Sequence, residues 1–202
     1  MLKVILFDIG GVLMRLEESR YYEYLSLISG TKLSEVVALL HKLGKRSYAG
    51  KMGIKEFTES VSARLGIKKS EVRWLQFVRE NAAVDKEVVN LALEMRKKYR
   101  IGIITNADRS RYMYVTRHLG KQMHISEFDR IFASCYLGMM KPSKQIFQYV
   151  VKQMKVMPDE AIFIDDHIEN VEGAEAIGIK GILFNNLHDN VNYLKRQIEK
   201  FA

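Results

Sequence analysis

EAIFIDDHIENVEGAEAIG, residues 160–178, decides how this chain is read. Residues 160–165 are few, apolar and rich in Ile and Phe, as in a strand covered on both faces. Two adjacent carboxylates, Asp165 and Asp166, follow at once. After them Val171, Ala174 and Ile177 recur at helical spacing, and Gly178 stands where a helix would end. A buried strand, an acidic turn and an amphipathic helix form half of a βα unit. Its acids sit at the strand's carboxyl end.

Working outward, KVILF (3–7), RIGIIT (100–105) and KGILF (180–184) have the same strand character, with RIFAS (130–134) a weaker case. Between them Ile146, Phe147, Val150 and Met154 share a helix face. Strands alternating with helices predict an α/β fold, a parallel sheet with helices on both faces. The stretch 15–85 differs and holds no convincing strand. Leu33, Val36, Val37, Leu40 and Leu43 keep helical spacing, with Gly44 as a stop. Phe57, Val61 and Leu65 precede Gly66, and Trp74, Phe77 and Val78 mark another helix. Val88, Leu91 and Met95 lead back to the second strand. A simple crossover needs far fewer residues. The expected division is therefore a sheet domain of 1–14 and 86–202 with a small helical insert at 15–85. A final helix over roughly 189–200 presents Val191, Leu194 and Ile198.

Composition narrows the class. The chain has 202 residues, 48% hydrophobic and 28% charged, which suits a globular domain. No apolar run approaches the roughly 18 residues that span a bilayer, so no membrane partner is expected. The opening MLKVILFDIGGVL contains an Asp and no small-residue cleavage site, and it reads as a buried strand rather than an export signal. The single cysteine, Cys135, forms no intrachain disulfide, which fits a reducing cytoplasm, the expected location. The net charge is +8. Its densest runs, RKKYR (96–100) and KK (68–69), lie beside helical apolar patterns and read as solvated faces. No nucleic-acid motif accompanies them.

Ligands of such sheets bind outside the carboxyl ends of the strands. Asp8 stands there in FDIGGVL, Thr105 and Asn106 in IITNAD, Lys141 in GMMKPS, and Asp165 and Asp166 in IFIDDHIEN. Converging carboxylates need a cation, and open sites of hard oxygen ligands favour Mg²⁺ carrying a substrate phosphate. An ionised carboxylate attacks phosphorus. Lys141 would keep Asp8 ionised and offset phosphoryl charge. A Thr hydroxyl and backbone N–H groups would bind phosphoryl oxygens. The set points to a small phosphorylated metabolite. Each residue also has a plainer reading: helix caps for Thr105, Asn106, Asp165 and Asp166, a solvated side chain for Lys141. Met139 and Met140 read as packing. Tyr21, Tyr22 and Tyr24 read as interior of the helical insert.

The order FDIGGVL, IITNAD, KPSKQIF and IFIDDHIENVEGAEAIG resembles the four motifs of the haloacid dehalogenase (HAD) superfamily, over nearly the whole chain. The resemblance implies a Rossmann-like sheet domain, with the 15–85 insert as a helical cap over the crevice. It implies a Mg²⁺-dependent phosphatase of small phosphate monoesters, such as a sugar phosphate. Asp8 would be the nucleophile and a metal ligand. The Gly10 carbonyl and Asp166 would complete the protein's ligands. Thr105 and Asn106 would bind the phosphoryl group, Lys141 would be the bridging cation, and Asp165 and Asn170 would support Asp166.

One departure stands out. Most phosphatases of the superfamily that this chain resembles carry an Asp two residues after the nucleophile, and here that position is Gly10. The departure favours a leaving group that needs little protonation, or a substitute such as His167. It also keeps alive a catalytically weak protein that binds a phosphorylated ligand or partner. A 2-haloacid dehalogenase would use Asp8 without metal, but Gly10 and the Asp165–Asp166 pair argue against it. A phosphomutase would want the missing acid.

Overall fold

The structure is a computed structural model that describes residues 1–201. The chain opens with β1 (Val4–Phe7) and β2 (Met14–Arg15). Four helices follow: α1 (Ser19–Ser29), α2 (Leu33–Tyr48), α3 (Ile54–Leu65) and α4 (Trp74–Asn81). Then come β3 (Ala83–Val84), α5 (Lys86–Met95), β4 (Arg100–Thr105), α6 (Arg109–Tyr114), β5 (Arg130–Ala133) and α7 (Ser134–Leu137). The last elements are α8 (Lys144–Met154), β6 (Ala161–Asp165), α9 (Ile168–Glu175), β7 (Lys180–Leu183) and α10 (Val191–Glu199).

Five strands form one parallel sheet in the order β5-β4-β1-β6-β7. The expected α/β fold is therefore observed. Alternation explains its two covers. Ile5, Phe7, Ile103, Ile162 and Ile164 join one apolar cluster with Val88 and Leu91 of α5 and Leu194 and Ile198 of α10. Val4, Leu6 and Phe163 join the other, with Ile146, Phe147 and Val150 of α8 and Ala174 of α9. Full burial of each such side chain contributes about 1.5–3 kcal/mol, so the inner strands tolerate few polar residues.

Two sequence expectations change. The stretch 15–85 is not strand-free at its edges, because Met14 and Arg15 pair antiparallel with Ala83 and Val84. Two residues per strand are too few to show an alternating pattern. Arg15 also binds the buried carboxylate of Asp85, Nε to Oδ2 at 2.8 Å, which ties the two ends of the helical stretch together. Secondly, Gly44 does not stop α2, which runs on to Tyr48. A Cβ on Gly44 would meet the Tyr48 ring at an ordinary 3.5 Å, and the helix continues because its buried face, Leu40, Leu43 and Ser47, continues. The left-handed turn comes at Gly50, φ 71°. Gly66 does end α3 in the left-handed conformation. Tyr21 is buried against Trp74 and Phe77, with centroids at 4.9 and 5.3 Å, as its interior reading required.

Candidate active site

β1 and β6 are adjacent, with Phe7 opposite Ile164. Asp8 and Asp165 therefore leave the sheet at the same level, and the Asp8 N–H donates to the Ile164 carbonyl at 2.9 Å. The loop before α8 carries Lys141 onto this point. Its ammonium is fully buried, 3.0 Å from Asp8 Oδ1 and 2.6 Å from Asp165 Oδ2, and it donates to the Ile104 carbonyl at 3.0 Å. The ammonium also lies 5.2 Å from the Phe163 ring centroid. Burial alone would drive Lys141 toward its neutral form, but Asp165 and then Asp8 outweigh it and raise its pKa. It stays charged.

Asn106 holds the Lys141 backbone from both sides. Its Oδ1 accepts from the Lys141 N–H at 3.0 Å, and its Nδ2 donates to the Lys141 carbonyl at 2.9 Å. Asp165 is equally committed: Oδ1 accepts from Asn170 Nδ2 and from the His167 N–H, both at 2.9 Å, and Oδ2 takes Lys141. Asp8, Asp165 and Asp166 bring carboxylate oxygens within 4.8 Å of one another. Asp166 has no ammonium of its own. Burial first, then the charge of Asp8, pushes its carboxyl up to about 7. Burial raises Asp8 as well, with Lys141 opposing. Three carboxylates facing one ammonium leave an excess of negative charge, and all the donors are hard oxygens. That set fits a divalent cation such as Mg²⁺.

Thr105 ends β4 and is buried, and it lines a crevice with Gly10, Arg111 and Tyr112. The helix-cap reading of Thr105 and Asn106 fails, because Asp108 is the cap of α6 and accepts from the N–H groups of Ser110 and Arg111. His167 is exposed, with Nε2 3.7 Å from Asp166 Oδ2.

Sequence reading missed three supporting features. Gly11 adopts φ 70°, and a Cβ there would overlap the Asp166 carboxyl. Asn186, in the loop after β7, donates Nδ2 to the Val12 carbonyl and its N–H to the Gly11 carbonyl, both at 2.8 Å. Arg111 reaches back to Glu18, Nη1 to Oε1 at 2.8 Å. The double glycine was the only available signal, since the other two contacts join residues far apart in sequence.

The sequence matches the model of the haloacid dehalogenase-like hydrolases over residues 2–178. The chain belongs to this family. As a HAD-like hydrolase it is 24% identical over 190 residues to a D-ribitol-5-phosphate phosphatase of Bacteroides thetaiotaomicron, covering 89% of this chain and 90% of that protein. In shape it is similar to a HAD family enzyme of Bacteroides thetaiotaomicron solved with magnesium and inorganic phosphate. The TM-score is 0.78 at 22% identity, covering 96% of this chain and 99% of that one. A 2-haloacid dehalogenase of Pseudomonas syringae pv. Tomato is also similar, with TM-score 0.63 at 18% identity and full coverage of both chains. Shape alone thus fits both chemistries, and the choice between them rests on the site.

Proposed function

We propose that this HAD-like hydrolase is a Mg²⁺-dependent phosphatase that cleaves a small phosphate monoester, such as a sugar phosphate, with Asp8 as nucleophile. The observation that carries the proposal is the buried Lys141 ammonium spanning Asp8 and Asp165, with the Asp166 carboxyl within 4.8 Å of theirs. An Asp attacking carbon in a haloacid needs no second free acid. An Asp attacking an anionic phosphoryl group needs positive charge around it.

Asp8, Asp166 and the Gly10 carbonyl would hold the ion, which when bound would neutralise phosphoryl oxygens and let the anionic ester approach a carboxylate. Lys141 opposes the protonation that burial favours at Asp8 and fixes its Oδ1, leaving the other oxygen for attack. The Thr105 hydroxyl and the Asn106 region bind the phosphoryl oxygens. Asp8 forms an aspartyl-phosphate, and water then cleaves it. Asp165 and Asn170 position Lys141 and the turn that bears Asp166. Residues 15–85 act as a cap over the crevice, with 1–14 and 86–202 as the domain beneath.

Among the described residues no helix is long and apolar enough to cross a membrane, and Cys135 is free and buried. The free thiol supports the cytoplasm as the site of action, and the similarity to a sugar-alcohol phosphate phosphatase supports a small phosphorylated metabolite as the substrate. The test is release of inorganic phosphate from sugar, acyl, aryl and nucleotide monoesters, with Mg²⁺ or chelator. Release that needs Mg²⁺ supports the proposal; release of halide from 2-haloacids, with no phosphate from any ester, would replace it.

A further inference from the structure

Gly10 presents no acid, so something else must meet the charge that develops on the leaving oxygen. Displacement at phosphorus is roughly in line. Lys141 and the sheet lie behind Asp8, so the leaving group must point outward, toward the crevice and helices α1, α2 and α4. Of the residues that line this crevice, Arg111 alone is cationic.

Arg111 is held there. Nη1 pairs with Glu18 at 2.8 Å, and Glu18 in turn accepts from the Tyr22 hydroxyl at 2.9 Å. The guanidinium carbon lies 5.6 Å from the Tyr48 ring centroid and 5.4 Å from that of Trp74. The Arg111 side chain is 11% exposed. Burial opposes its charge, but Tyr48, Glu18 and Asp108 overcome that and raise its pKa further. A guanidinium carries five N–H donors in a fixed fork, and the Glu18 contact uses one nitrogen. Donors remain for a ligand. A fixed, desolvated cation beside a developing oxyanion is the arrangement that lowers a barrier most.

Resting on the phosphatase reading above, we propose that Arg111 is a catalytic residue that binds the leaving oxygen and replaces the absent acid with electrostatic stabilisation. As the Asp8 oxygen bonds to phosphorus, the bond from phosphorus to the leaving oxygen breaks. The electron pair stays on that oxygen, which departs as an oxyanion hydrogen-bonded to Arg111 and takes its proton from water. Arg111 keeps its own protons throughout. Glu18, Tyr48 and Trp74 are positioning residues for it.

The test is kcat/KM across aryl phosphates of graded leaving-group pKa, extended to an alkyl phosphate, for wild type, Arg111→Met, Glu18→Gln and Tyr112→Phe. Thermal unfolding of each checks folding. Arg111→Met should lose about 10²–10³-fold on the alkyl ester and far less on 4-nitrophenyl phosphate, steepening the dependence on leaving-group pKa. Glu18→Gln, which keeps the guanidinium but weakens its hold, should steepen the dependence less than Arg111→Met does. A parallel Arg111→Met line, or steepening in Tyr112→Phe instead, would overturn the role of Arg111. Wild type inactive on every ester would overturn the phosphatase reading itself.

Discussion

Asp166 occupies the space that a side chain on Gly11 would need. The pairing explains why two neighbouring glycines differ. Gly11 has φ 70°, and its missing Cβ makes way for the carboxyl. Nothing lies within 4 Å of a Cβ on Gly10. Gly11→Ala should therefore lose about 1–2 kcal/mol from the left-handed backbone alone, and Mg²⁺ affinity as Asp166 is displaced. Gly10→Ala should keep both. Thermal unfolding and titration calorimetry with Mg²⁺ check the contrast; equal behaviour of the two variants would contradict it.

The open space at Gly10 also permits a gain of function. Gly10→Asp should place a proton donor over the crevice. General acids contribute about 10²–10⁴-fold, so hydrolysis of alkyl phosphates should rise while 4-nitrophenyl phosphate, a good leaving group, changes little. Steady-state kinetics on both substrates decide it, and no preferential gain on the alkyl ester would mean that position 10 does not face the leaving group.

Among the described residues, Lys141 is the cation that pairs with Asp8 and with Asp165. Lys141→Met would leave two buried carboxylates without it, a loss of about 3–5 kcal/mol out of a usual total of about 5–15. The urea midpoint should fall accordingly. A variant as stable as wild type would show that the ammonium does not carry this charge balance.

The metal-free protein should depend on pH in a defined sense. Folding raises Asp166 from 3.8 to about 7, so the folded state holds a proton that the unfolded chain has released. Stability then falls as pH rises from about 4 through about 7, and Asp8, raised by burial too, adds in the same direction. Bound Mg²⁺ favours the ionised form and should stabilise the protein more at pH 8 than at pH 5. Melting curves with chelator and with Mg²⁺ at both values test this; an equal Mg²⁺ effect at the two would count against Asp166 as a ligand.

Much of the site was legible because strand ends bring distant motifs to one edge. Asp8, Thr105, Asn106, Lys141, Asp165 and Asp166 each follow or approach a strand whose apolar run is plain, and the sheet order does the rest. Backbone space and long-range partners were not legible. Gly44 reads as a stop because a glycine after an apolar stripe is the usual end signal, while the packing that carries α2 on to Tyr48 comes from other helices. Asn186 and Val12 are 174 residues apart, and Arg111 and Glu18 are 93. Nothing local marks either pair.

The central claim is that Asp8 attacks phosphorus. Acid-quenched enzyme, mixed rapidly with 4-nitrophenyl phosphate and Mg²⁺, should yield a peptide spanning residue 8 heavier by one phosphoryl group. Asp8→Asn should show neither the adduct nor phosphate release. Turnover that persists in Asp8→Asn, or a phosphoryl group trapped on a different residue, would contradict the account.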